Sequence, residues 1–251
     1  HIDDSTTQKQ YISHCLWCLY RGTGSPVSPY LLQSMHMALE KILLEIGEHY
    51  DSRVLESWLL YLLTKSESAS ISAIVASIVL AYPDKTFNIA KILFHTKEFV
   101  CLDTSRLVAE YGAKSLYSIG KNWGRSGTAF YDDERIKTCD DKHRTSTLEN
   151  QFLNYQIFRN DKIDEIEIEK RQKDLWQILD GYYAQLPPES EQDGNDKTWR
   201  LYLARMDRRK MGITTHQVDD GIVIQFNPKI EVDLEEYREA TLDKNSEYTK
   251  Y

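Results

Sequence analysis

One run of the chain constrains its fold more than any other. Ala69 to Tyr82 is almost wholly apolar, broken only by the small residues Ser70, Ser72 and Ser77 and closed by Pro83. It is well short of the roughly 20 apolar residues that a membrane-crossing helix needs. Ile71, Ile74, Val75, Ile78, Val79 and Tyr82 recur at helical spacing, and Ser68 stands where a side-chain oxygen can accept from the free N–H groups of a first turn. The residues named lie along one face, and a core helix is the simpler reading. Pro83 stops it, because the residue before proline is pushed out of helical geometry.

The flanking segments have the same period. Leu32, Met35, Leu39, Ile42, Leu43 and Ile46 predict one amphipathic helix ending near Gly47. Asp51 or Ser52 caps the next, whose inner side reads Leu55, Trp58, Leu59, Leu62 and Leu63. Beyond Pro83, Phe87, Ala90, Leu93 and Phe94 mark another, and Asp103 is expected to open a fifth through Leu107, Val108 and Tyr111. Short amphipathic helices joined by brief turns predict a mainly α fold, either a HEAT-like array of stacked helical hairpins or an irregular α-bundle.

From Gly120 to Thr145 the pattern lapses into a glycine-containing charged segment, expected to be mobile. Helix resumes at Ser146, where Ser146-x-x-Glu149 has the form of a capping box. Leu175, Ile178, Leu179, Tyr182 and Leu186 mark a longer helix ending before Pro187-Pro188. Trp199, Tyr202, Leu203 and Met206 mark another, expected to stop near Gly212. Asp219-Asp220-Gly221 then turns the chain ahead of Ile222, Val223, Ile224 and Phe226, the signature of a small C-terminal β-hairpin, with an acidic helix after it. The expected organisation is a helical array over 1–119, a mobile charged loop over 120–145, and a helical subdomain with hairpin and acidic tail over 146–251.

Chemical signatures are sparse. Cys15-x-x-Cys18 lacks the second pair that a structural zinc site requires, since Cys101 and Cys139 stand alone; it reads as small apolar residues on a helix. Four cysteines in 251 residues suit a reducing compartment. Asp132, Asp133, Glu134, Asp140, Asp141 and His143 supply ligand types for a metal-dependent phosphodiesterase, but at no recognised ligand spacing; a solvated charged loop is the simpler reading. Gly120-Lys121-Asn122-Trp123-Gly124-Arg125-Ser126-Gly127 lacks the order of a phosphate-binding loop. No enzymatic activity, cofactor or metal is expected.

Charge points to a binding surface instead. The chain carries net −8, which argues against bulk nucleic-acid binding, yet Lys197, Arg200, Arg205, Arg208, Arg209 and Lys210 face only Asp207 within their stretch. Arg205, Arg208 and Arg209 share a helical face by their three- and four-residue spacing. With Arg200 they form the candidate partner-binding set, the competing reading being pairing with acids of the same chain, namely Asp161, Asp164, Glu165, Glu167 and Glu169 or those of the tail after Glu231.

Three stretches carry a family resemblance. Ser68 to Pro83 resembles the second helix of a HEAT-like repeat. Phe87 to Phe94 and Trp199 to Met211 are similar to segments of very large bacterial STAND-type ATP-binding proteins, antiviral NTPases among them, in the region beyond the ATPase core. The resemblance implies a cytoplasmic helical scaffold or sensor segment that contacts a protein partner, such as a phage protein, or other domains of its parent chain. The chain has no Walker A motif, so ATP binding does not carry over. It opens at His1 without an initiator Met or a signal-like segment, and reads as a piece of something longer. On this reading, neutralising the four arginines weakens partner capture and leaves helical content intact.

Overall fold

The computed structural model describes residues 7–22, 29–122, 133, 136–158, 163–218 and 221–248. The fold is mainly α with a small antiparallel hairpin near the C-terminus. The chain divides into two compact units, 1–151 and 152–251.

The first unit contains α1 (His14–Trp17), α2 (Tyr30–His49), α3 (Ser52–Lys65), α4 (Ala69–Ala81), α5 (Phe87–Phe94) and α6 (Lys97–Asn122), and α7 (Leu148–Ile157) begins in it. The apolar run becomes α4, capped by the Ser68 hydroxyl and ended before Pro83, and eleven of its thirteen residues are buried. Helices α1, α2, α3 and α5 and the 3-10 turn Lys142–Thr145 all pack on it. A single helix surrounded on all sides gives an irregular bundle rather than a row of units that each touch only their neighbours.

Two helices depart from the expected burial. In α2 the buried residues are Gln33, His36, Glu40, Leu43 and Gly47, so Leu43 is the one member of the expected apolar stripe that is fully enclosed. Helix α6 starts at Lys97, not at Asp103, and buries Asp103, Arg106 and Glu110 while Val108 and Tyr111 face outward. Both helices have a polar face towards the bundle, and the physical reason lies in the ion pairs described below. In α3, Leu55, Leu59 and Leu63 point inward as expected, whereas Trp58 is half exposed. Helix α7 is capped by Thr147, whose Oγ1 accepts from Asn150 N at 3.1 Å, one residue beyond the expected Ser146.

The second unit contains the remainder of α7, then α8 (Glu165–Gln185), α9 (Gly194–Met206), β1 (Met211–Val218), β2 (Gly221–Pro228) and α10 (Val232–Tyr248). Its core is Phe152, Leu175, Ile178, Leu179, Trp199, Leu203 and Met206, with Tyr182 and Trp199 edge to face at 5.0 Å. Gln156 ties this core together. Its amide donates to Met206 O at 2.7 Å and accepts from Trp176 Nε1 at 3.2 Å and Arg208 N at 3.3 Å. Asp193 and Asp196 form a capping box at the start of α9.

Gly47 is fixed by packing. A Cβ there would lie 2.3 Å from the Tyr82 ring, which crosses α2 to donate its hydroxyl to Leu44 O at 2.7 Å. Gly47→Ala therefore overpacks the α2–α4 contact and should cost about 1–3 kcal/mol. A lowered urea midpoint of the first unit, partly restored by adding Tyr82→Leu, is the expected outcome.

Candidate functional site

The arginine segment does not form the expected helical face. Helix α9 ends at Met206, because the Asp207 side chain accepts from Arg209 N at 2.9 Å and starts a separate 3-10 turn over Arg208–Lys210. Arg200 is nearly enclosed. Its guanidinium pairs with Glu231 and with Asp233 at 2.8 Å, and donates to Gln192 Oε1 at 2.9 Å, fastening α9 to the start of α10. Burial would lower its pKa, but the hydrogen bonds it donates to Asp233 and Glu231, with their charges, outweigh that and raise it. Arg209 hydrogen-bonds Asp207 at 2.9 Å and Asp180 at 2.7 Å, bonds that raise its pKa against the effect of burial, and it lies over the Trp176 ring. Arg205 lies over Tyr202, 4.7 Å from the ring centroid, and Arg208 is half-buried. Arg200 and Arg209 thus hold the second unit together, so neutralising either removes internal ion pairs before it removes any contact with a partner.

Among the described residues the acidic segment forms no convergent ligand set. Asp132 and Glu134 lie outside the described residues. Asp133 is exposed, and Asp140 is paired with Lys114 at 2.6 Å. Among the described residues no group of three or more His, Cys, Asp or Glu could hold a metal ion. Of the cysteines, Cys18, at the C-terminal end of the short α1, is buried and Cys15 is exposed.

What the structure does bring together is a buried charge network in the first unit, of whose members the sequence singled out Asp103 alone, and as a helix start rather than as an ion-pair partner. Arg21, Arg106 and Arg144 are each at most 2% exposed, and their carboxylate partners Glu110, Asp103 and Glu40 at most 7%. Arg144, from the 3-10 turn before α7, grips Glu40 of α2 through both terminal nitrogens at 2.7 Å and reaches Ser77 of α4 at 3.3 Å. Ser77 in turn hydrogen-bonds Glu40. Arg106 pairs with Asp103 one turn earlier on α6 at 2.8 Å and donates to the carbonyls of Arg144 and Ser146. The second oxygen of Asp103 accepts Leu148 N at 2.8 Å, satisfying a free donor at the start of α7. Arg21 pairs with Glu110, with its Nε 2.9 Å from the carboxylate.

Three cations meet three carboxylates, so the network is neutral. Burial alone would raise the Glu40 carboxyl, but the charge and hydrogen bond of Arg144, with Ser77 and Arg21, outweigh it and hold Glu40 below the ordinary range. His143, beside this cluster, is pushed the other way for a base. Burial, then the Arg144 charge, lowers it from 6.5 to about 3, and its Nε2 has no hydrogen-bond partner among the described residues. The imidazole is therefore neutral at pH 7.

The network also explains the inverted faces. Glu40 must point at Arg144, and four residues earlier His36 points at α4. There its Nε2 lies 2.9 Å from the Ser70 hydroxyl while Nδ1 lies 2.8 Å from Leu32 O. With that face of α2 turned inward, Leu32, Met35, Leu39, Ile42 and Ile46 turn away from the bundle. Their alternating three- and four-residue spacing is that of a coiled-coil seam. Leu32, Met35 and Ile42 are 41%, 62% and 53% exposed, and Leu39 and Ile46 are half-buried. A second exposed apolar stripe runs along α3 through Val54, Trp58 and Tyr61, the last two edge to face at 6.3 Å.

The network sets expectations for stability. Glu40→Gln or Asp103→Asn strands a buried guanidinium, and each should cost about 3–5 kcal/mol in urea unfolding of the first unit. A buried imidazole of depressed pKa takes up its proton later than the unfolded chain does, so stability should fall as pH drops from 6.5 towards 3. Protonation of Glu40, depressed below 4.5, adds a further loss at the acid end. His143→Leu should flatten the slope between pH 6.5 and 4.5 and leave the Glu40 limb in place.

Comparison with protein families and with curated proteins gives no relative: no family model matches the chain, and no curated protein matches it.

Proposed function

We propose that the chain is a non-enzymatic helical scaffold or sensor segment of a larger, cytoplasmic, multidomain bacterial NTPase, and that it works by binding another protein. The carrying observation is the seam on α2: a two-heptad apolar row turned to solvent by a helix whose polar face is held inside. An exposed apolar row of this regularity has a cost in water and fits the apolar face of another helix. The resemblance of Ser68–Pro83, Phe87–Phe94 and Trp199–Met211 to STAND-type proteins supplies the setting. Among the described residues no helix is long and apolar enough to cross a membrane.

The docking surface shifts accordingly from the arginines to α2. A partner favouring one arrangement of the bundle would draw the population towards it, which is the physical content of sensing. A photo-crosslinking residue placed at Met35 or Ile42 in the producing cell should trap one defined protein, or a defined segment of the parent chain. The same residue at Glu48, on the charged side of α2, should trap none. Adding Ile46→Glu should abolish the crosslink while leaving the helical signal unchanged. Equal trapping from Glu48, or indifference to Ile46→Glu, would refute the reading.

A further inference from the structure

Among the described residues the hairpin of the second unit has an unguarded edge. Strands β1 and β2 pair antiparallel over eight consecutive residue pairs, Met211↔Pro228 to Val218↔Gly221, without a bulge. Among the described residues the sheet has these two strands alone. Residues 213–217 of β1 are all exposed, and Ile213 and Val223 are each 48% exposed. An isolated two-stranded ribbon is marginal in water, and gains stability when a further strand or a helix covers it. Natural edges are usually blunted by lysine, proline, bulges or short length. Strand β1 has none of these. Neither strand contains Lys, Arg, Asp or Glu, in a chain that is 28% charged.

We infer that the β1 edge pairs with the β1 edge of a second copy of this chain, forming a four-stranded antiparallel sheet across a two-fold axis. The free edge is that of β1, because β2 contacts α9 and ends at Pro228, which has no N–H to donate. Antiparallel pairing about a two-fold axis makes the edge its own complement, equal in length and in hydrogen-bonding pattern. The two-fold self-complementarity selects the copy as occupant, and the lack of charge on the strands permits it. Two chains of net −8 repel over most of their surfaces, and these uncharged strands let them meet without opposing like charges. A charged peptide would find no counter-charge along either strand. The paired edge would run about 27 Å, at 3.4 Å per residue.

The test is sedimentation equilibrium of the whole chain over a wide concentration range. The expected species is a closed dimer of twice 29.3 kDa. The double variant Thr214→Lys, His216→Lys puts like charges on exposed positions of both copies; it should raise the dissociation constant at least about tenfold without changing the circular dichroism. Mixing it with Thr214→Glu, His216→Glu should restore a dimer containing one of each. A chain monomeric throughout, open-ended aggregation, a lysine variant that dimerises as before, or no association on mixing would each overturn the inference.

Discussion

The Arg144–Glu40 pair is the contact on which the first unit turns. It joins the turn before α7 to α2, and through Ser77 to the central helix α4, so three separately placed segments share one buried charge balance. Each ion has lost hydration worth several kcal/mol, and the pairs do not obviously add net stability over a hydrocarbon core of similar volume. Their effect is on choice. An apolar face can rotate or slide against α4 at modest cost, whereas a buried guanidinium without its carboxylate cannot be tolerated. The rotation of α2 about its axis is set by Glu40, and that of α6 by Asp103 and Glu110. Which residues are left outside follows from this.

That ordering links core to surface. Leu32, Met35, Leu39, Ile42 and Ile46 would be unremarkable if they faced inward; exposed at heptad spacing, they become a surface that another helix can cover. The second unit differs in its use of charge. Arg200, nearly enclosed, pairs with Glu231 and Asp233 and fastens α9 to the start of α10, while Arg209 pairs with Asp207 and fastens the following turn to Asp180 of α8. Its unguarded feature is an edge of backbone rather than an apolar row.

The legibility of the fold in the sequence follows from local physics. Helix α4 was readable because its apolar run, the Ser68 cap and the Pro83 stop are all local signals. The hairpin was readable for the same reason, from the turn residues and the β-branched run after them. The faces of α2 and α6 were not, since periodicity finds an apolar stripe but cannot say which stripe is buried. That was decided by partners far along the chain: Glu40 and Arg144 are 104 residues apart, and Arg21 and Glu110 are 89. One signal was available in principle. Gln33, His36 and Glu40 on α2, like Asp103, Arg106 and Glu110 on α6, repeat at i, i+3, i+7, a polar stripe with its own helical period. The arginine helix failed for a local reason, as Asp207 is a better cap for a new turn than a member of a continuing helix.

The most direct test is the solvent access of α2 in the native protein. With Cys15, the exposed cysteine, replaced by serine, single cysteines at Met35 and Leu43 can be labelled with a thiol reagent under native conditions. Protection of a buried site requires local opening, so position 43 should react on the order of 100-fold more slowly than position 35. Equal rates, or protection at 35 with rapid labelling at 43, would contradict a helix held polar face inward.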